Sequence, residues 1–350
     1  MGGSETGPDS QPGEAFALPL VVPAPDAGTR RVSLRRRLSP SEGGGHTDVV
    51  GHVIAETAES LVLLPESTGP VVVARAAIAA LREIPEQAVR PTSSADKLER
   101  LLDRTWPGVQ RARLGGWVLR ASGGVTMRAN SVLVAGDPGV GSDEAIQVAE
   151  RWYAERGLPV AFQCVLDEAG MPVGVPEPGR WRLTSTAHVL VADVRRLDLA
   201  DPRGLGARGD SGCEAWHFDD APSDAWLALW RGGMATPEAR SEVGSAPAAY
   251  LTLDEDHGGA DDAGDVGVPV AVGRVANTAD WCVLSCLEVV PHRRREGLGR
   301  RATIAMLEHA RAVGARFASL QVAVDNTPAL ALYEGLGFTR HHTYAYAVQG

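Results

Sequence analysis

The sequence predicts an α/β (α+β) protein built on a mixed sheet, arranged as two related halves and preceded by a small β-barrel. Apolar runs of strand length alternate with amphipathic helical stretches from residue 95 onward. The order strand, glycine turn, helix occurs twice, once over 130–156 and once over 283–313. Ahead of both, short alternating segments separated by Gly and Ser fill residues 30–75, as in a small barrel. A chain of 350 residues has room for two or three such cores.

Residues 1–27 are rich in Gly, Pro, Ser and acid with few large apolar groups, and read as a disordered tail. Residues 28–90 read as the barrel, with strands over 31–38, 48–54, 60–64 and 71–75 and a helical turn over 76–81. The run Arg35-Arg36-Arg37 could meet an acidic protein partner, but a solvated strand edge protected by charge explains it better. A linker at 91–96 leads to a helix over 95–105 capped by Ser93 or Ser94. Strands over 116–120 and 130–135, a helix over 143–156 stopped by Gly157, and strands over 160–165 and 184–194 complete the middle half, 91–205.

A glycine-rich, charged connection over 201–212 leads into the last half, 206–350, which has a short helix over 223–231. Strands over 248–253 and 268–275 flank an insert, 254–265, too acidic to pack. An apolar strand from Val283 ends at Pro291, and the Arg- and Gly-rich turn 292–299 follows it. The next helix has an apolar face of Ala302, Ile304, Ala305, Met306, Leu307, Ala310 and Val313. A strand over 317–324, a turn at 325–328, a helix to Glu334 and a strand over 343–348 close the chain.

Charge and composition exclude several function classes. The formal charge of −10 leaves no nucleic-acid footprint. No apolar run is long enough to span a membrane, and no secretory core opens the sequence. The four cysteines, Cys164, Cys213, Cys282 and Cys286, form no metal or disulfide pattern, as expected in a reducing cytoplasm. Cys282 and Cys286, four apart in a strand, are expected on one face. A single lysine, Lys97, stands among 34 basic residues, a bias that suggests a GC-rich bacterial genome. Gly136-Asp-Pro-Gly-Val-Gly141-Ser142 approaches a nucleotide-binding P-loop but lacks the lysine that holds the β/γ-phosphates, so nucleotide hydrolysis is excluded.

The turn after the Val283 strand is a site for an anion. A helix N-terminus presents N–H groups with no intrahelical acceptor and a partial positive charge, and glycine lets a phosphate approach the backbone. Arg294-Arg-Glu-Gly297-Leu-Gly299 fits an R-x-x-G-x-G pattern, and Asn326-x-x-Ala329-x-x-x-Tyr333-x-x-x-Gly337-Phe338 follows one strand later. Together these motifs, over residues 268–340, resemble the GNAT superfamily of acyl-CoA-dependent N-acetyltransferases.

The resemblance implies acetyl-CoA as acyl donor and a primary amine, on a protein lysine or a small molecule, as acceptor. It implies that Arg294, Arg295, Glu296, Gly297, Leu298, Gly299 and Arg300 hold the pyrophosphate through backbone amides and arginine heads. Leu287 and Val289 would offer main-chain groups to the pantetheine arm where their strand splays from its neighbour. Asn326 would hydrogen-bond the same ligand, and Tyr333 would act as the acid that reprotonates the thiolate, its structural alternative being a core aromatic beside Phe338. A lysine-like amine, with pKa ~10.4, is mostly protonated at neutral pH, so a base is needed. Glu288 is the acidic residue of the strand and is either that base or a paired strand-end carboxylate. Asp280, Glu214 and His217 are weaker candidates, and His292 belongs with the phosphate turn. The middle half resembles a worn GNAT half, with Gly139-Val-Gly141 in place of the phosphate turn, as in tandem GNAT proteins such as mycothiol synthase. The rival to catalysis is a non-catalytic acyl-CoA-binding regulator or scaffold.

Overall fold

The computed structural model describes residues 21–23, 29–66, 68–175, 178–197, 199, 216–230, 232, 235–254 and 268–350. Most of the tail expected over 1–27, the 201–212 connection, Glu214 and nearly all of the acidic insert lie outside these residues. The tail is shorter than expected in one respect. Strand β1 (Val21–Pro23) adds to the edge of the main sheet, its Val22 buried against the middle half.

The N-terminal module comprises β2 (Arg31–Arg37), β3 (His46–Glu56), β4 (Ser60–Leu64), β5 (Val71–Ala74) and β6 (Ile78–Glu83). Its order is β5-β4-β3-β2-β6, a ladder with β5 and β6 at its edges rather than a ring closed by pairing. Val32, Leu34, Leu61, Leu63 and Val73 fill its core. The helical turn expected over 76–81 is mostly strand. A six-residue helix is too short to hold in water on propensity alone, whereas β6 gains a full ladder with β2, Leu81 opposite Leu34. The arginine run is satisfied within the module. Arg35 grips Asp48 at 2.7 and 2.8 Å, Arg36 pairs with Glu42 at 2.8 Å, and Arg37 donates to the Ala76 carbonyl.

The remaining strands join β1 in a single mixed sheet. They are β7 (Gln110–Leu114), β8 (Trp117–Ala121), β9 (Val132–Leu133), β10 (Ala161–Val165), β11 (Trp181–Asp193), β12 (Trp216–Asp219), β13 (Ala249–Asp254), β14 (Pro269–Thr278), β15 (Trp281–Val289), β16 (Phe317–Ala323) and β17 (Thr339–Gln349). The helices are α1 (Ala95–Asp103), α2 (Ser142–Ala154), α3 (Asp224–Leu229), α4 (Pro237–Val243), α5 (Leu298–Ala312) and α6 (Thr327–Leu336). β7, β12 and α4 were not expected, being short and carrying at most two inward apolar residues each.

Among the described residues the strand order is β1-β7-β8-β9-β10-β17-β11-β16-β15-β14-β13-β12. The two halves therefore exchange strands. β17 pairs antiparallel with β10 of the middle half, and β11, expected in the middle half, lies between β17 and β16.

α5 and α6 cover one face of the last half, around Cys282, Leu284, Ala302, Met306, Leu320 and Phe338. α1 covers the opposite face, where Leu98 and Leu102 meet Val189, Trp281, Phe317 and Tyr344. α3 and α4 extend that second layer over Tyr250 and Val272. The middle half has its own core of Trp117, Trp152, Tyr153, Phe162 and Trp181.

Buried polar groups tie α1 to the strands of the middle half and, through His342 and Glu242, staple that half to the last one. Arg120 donates to Asp103, to the Ser131 carbonyl and hydroxyl, and to Gln163. Asp103 is held also by Arg111, and Glu99 by Gln163 and His342. Glu242, on α4, is fully buried and accepts from the Thr126 N–H and hydroxyl, Asn130 Nδ2 and Trp106 Nε1 of the middle half. Such groups are tolerated in a core only when each finds a partner.

Candidate active site

The site begins with a fault in β15. Cys286 has φ of 56°, and the register with β14 jumps from Arg274–Ser285 to Val272–Glu288. This is a β-bulge, in which an extra residue turns the strand and reverses the alternation of its faces. The consequence corrects one expectation. Cys282 packs in the α5 core whereas Cys286 packs beside Trp226 on the other face, so the two cysteines do not share a side. Leu287 and Val289 point toward the α5 layer and Glu288 away from it.

Beyond the bulge the strand leaves its neighbour. β15 and β16 pair in parallel from Trp281–Phe317 to Leu284–Leu320, and the rungs stop there although the strands continue to Val289 and Ala323. Parallel strands that diverge expose main-chain groups that a ladder would use. The gap opens along the stretch of β15 that carries Leu287 and Val289.

The turn that follows is built for a backbone approach. Arg295 has φ of 72° and Gly297, the N-cap of α5, has φ of 88°. A Cβ on Gly297 would meet nothing within 4 Å, so the space above it is open. Gly299 is different, since a Cβ there would lie 3.6 Å from Leu332, which makes it a packing position between α5 and α6. The first turn of α5 holds no acid. Arg293 pairs with Glu296 at 2.6 Å. Arg294 folds back on the strand end, donating to the Val289 carbonyl at 3.0 Å and to Glu288 at 2.8 Å. Leu298 is buried against the same small cluster as Val289, which locks the strand end to the helix start. Arg300 lies on the first turn of α5, and His292 stays exposed in the preceding turn.

The corresponding turn of the middle half is closed to an anion. The Asp137 carboxylate already accepts the Gly139 N–H at 2.7 Å, and Asp143 and Glu144 occupy the first turn of α2. Gly139 faces Gly69 of the N-terminal module. Phosphate would meet three carboxylates there.

Asn326 caps α6, its Oδ1 accepting from the Ala329 N–H at 3.3 Å. Tyr333, about two turns later, packs with Leu287 against the α5 core, its ring 6.0 Å from that of Phe338. Burial pushes its phenol up to about 12, so the hydroxyl keeps its proton through the physiological range. Glu288, about one-third exposed, forms the ion pair with Arg294 on the face away from α5.

The weaker base candidates are remote or engaged. Asp280 opens β15 at the end far from Glu288 and pairs with Arg90 at 2.8 Å. His217 lies on edge strand β12 between Asp219 and Asp254. Sequence reasoning passed over Ser285 and Gln321, the first residues past the last β15–β16 rung; strand parity alone could have signalled them. Among the described residues no group of His, Cys, Asp and Glu is placed to hold a metal ion, and no helix is long and apolar enough to cross a membrane.

Comparison with known proteins agrees with this geometry. The family model of the C-terminal region of the probable histone acetyltransferase Rv0428c matches residues 92–347. The chain belongs to that family. The probable histone acetyltransferase Rv0428c of Mycobacterium tuberculosis is 30% identical over 335 residues, 93% of this chain and 96% of the relative. An uncharacterized N-acetyltransferase, YobR of Bacillus subtilis, is 25% identical over 70% of this chain and 96% of its own. The fold is that of a GCN5-related N-acetyltransferase from Kribbella flavida, with a TM-score of 0.51 and 18% identity, covering 74% of this chain and 96% of that one. This chain is accordingly a GNAT-family N-acetyltransferase, an enzyme of acyl transfer.

Proposed function

We propose that this acetyltransferase uses acetyl-CoA and passes its acetyl group directly to a primary amine. The observation that carries the reading is the splay of β15 from β16 past Leu284 and Leu320, ending on an open glycine turn at a helix start. The residues present suit the donor. Backbone N–H groups from Arg295 to Arg300 would receive the pyrophosphate, with no first-turn acid to repel it. The exposed main chain of Leu287 and Val289 would hold the pantetheine arm in the gap, and Asn326 would stand at the start of α6 beside it.

Acetyl-CoA supplies the acetyl group as a thioester. The amine nitrogen forms the new C–N bond while the C–S bond breaks, one amine proton passing to a base and one proton returning to the thiolate. Glu288 would take the amine's proton, directly or through water, on the face away from Leu287. Tyr333 would donate to the thiolate, being protonated at neutral pH and on the α5 side of the gap.

Two measurements test the reading. Calorimetry should give CoA binding that Gly297→Glu abolishes, and thiol release with an amine panel should fall sharply in Tyr333→Phe. Absence of CoA binding in the wild-type protein would sink the proposal. Binding with no turnover on any amine would point instead to an acyl-CoA-binding regulator.

A further inference from the structure

The face of the sheet opposite α5 carries a set of polar groups that neither the core nor the donor explains. Ser285 and Gln321 follow the last β15–β16 rung on that face. Their neighbours of like parity, Val283 and Phe317, pack under α1. The Tyr344 hydroxyl donates to Gln321 Oε1 at 2.9 Å, and the Arg128 guanidinium stands over the Tyr344 ring, 5.9 Å from its centroid. Arg128 and Gln321 therefore meet at one tyrosine, and Ser285 holds the matching position on the neighbouring strand at the apex of the splay.

Each of the three keeps an unused polar atom. Arg128 Nη2, Gln321 Nε2 and Ser285 Oγ are sealed from solvent and have no hydrogen-bond partner among the described residues. A buried donor without an acceptor is costly, and a buried guanidinium without an anion more so. The nearby carboxylates do not relieve it. Glu99 and Asp103 act on Arg128 only at a distance, Glu99 being taken by Gln163 and His342 and Asp103 by Arg111 and Arg120. Glu242 is surrounded by donors from Thr126, Asn130 and Trp106. One cation and two neutral donors are left without an acceptor of hydrogen bonds.

We propose that Arg128, Gln321 and Ser285 bind a carboxylate carried by the acceptor, so that the substrate is an amine with a carboxylate a short spacer away, as in an α-amino acid. This rests on the reading that the β15–β16 gap takes the acyl donor. The amine then meets the thioester at the apex of the gap, and the carboxylate lies a few bonds away under Arg128. A polyamine would bring a second cation toward Arg128 and be disfavoured.

The test compares matched pairs, each an amino acid and the amine left by its decarboxylation, in thiol release from acetyl-CoA by the full chain. Wild-type kcat/KM should favour the carboxylate-bearing member by roughly ten- to hundred-fold, the worth of a charge-assisted hydrogen bond. Arg128→Gln should abolish the preference by slowing that member alone, and Arg128→Lys should retain part of it. Gln321→Leu should weaken the same preference, which keeps the test open if one variant folds poorly. Equal or faster turnover of the decarboxylated amines, or equal slowing of both members in Arg128→Gln, overturns the proposal. So does a protein that binds acetyl-CoA yet acetylates no carboxylate-bearing amine. Failure to bind acetyl-CoA at all refutes the donor reading instead.

Discussion

Replacing Glu242 by alanine should destabilise the fold more than any single change at the surface. The carboxylate is fully buried and accepts from four donors, all in the middle half: the Thr126 N–H at 3.2 Å, the Thr126 hydroxyl, Asn130 Nδ2 at 3.2 Å and Trp106 Nε1 at 3.3 Å. Each donor stranded in the core costs about 1 kcal/mol or more, and water entering the space recovers part of it, so the expected loss is about 3–5 kcal/mol. In a unit of this size that lowers the melting temperature by roughly 10 °C. Denaturant and thermal unfolding of Glu242→Ala and Glu242→Gln measure it, with glutamine, which keeps the shape and one acceptor, losing less than half as much.

The pH dependence adds a second readout. Burial raises the Glu242 carboxyl above its ordinary value, against the hydrogen bonds that lower it. A group raised in the folded state contributes stability that is complete below its unfolded pKa and lost as pH rises through the folded one. The wild-type advantage over Glu242→Gln should therefore be larger at pH 4 than at pH 8. A Glu242→Ala loss below about 1 kcal/mol, or a glutamine variant as damaged as the alanine one, would refute the staple.

Three further outcomes are expected. Gly297→Ala should cost about 1 kcal/mol through its left-handed backbone, without a clash, whereas Gly297→Glu should remove CoA binding in calorimetry while circular dichroism stays native. Tyr333→Phe should lower kcat by roughly a hundred-fold or more with little change in CoA affinity, read by stopped thiol release. Because that phenol is pushed up to about 12, wild-type kcat should show no loss assignable to its ionisation below about pH 11. Glu288→Gln should lower kcat/KM on amines roughly a hundred-fold while CoA affinity in calorimetry stays near the wild-type value; an unchanged kcat/KM assigns proton removal elsewhere.

Much of the last half was legible because its signals are local. A proline-bounded apolar strand, a glycine turn and an amphipathic helix announce themselves within thirty or so residues. The bulge at Cys286 was not legible, since a positive φ at a cysteine has no sequence mark, and so the shared face assigned to Cys282 and Cys286 was reversed. α4 and β12 carry too few apolar residues to show a period, yet α4 brings Glu242. The strand exchange left no trace because β11 and β17 alternate identically whichever partner they take. The acceptor face needed three distant segments, around Arg128, Gln321 and Tyr344, to be seen together.

The exchange of β11 and β17 also dictates when the molecule can become one. β17 is last in chain order yet lies at the middle of the sheet, between β10 and β11. Cys164 of β10 waits for Ala345, roughly 180 residues later, so the contacts that close both halves are among the most remote in the chain. During synthesis neither half has a completed sheet until residues 339–349 emerge, and both strands that flank them stay exposed as edges. A nascent chain held short of that strand should be a target for chaperones and proteases, and splitting the protein between the halves should yield two insoluble pieces rather than two domains.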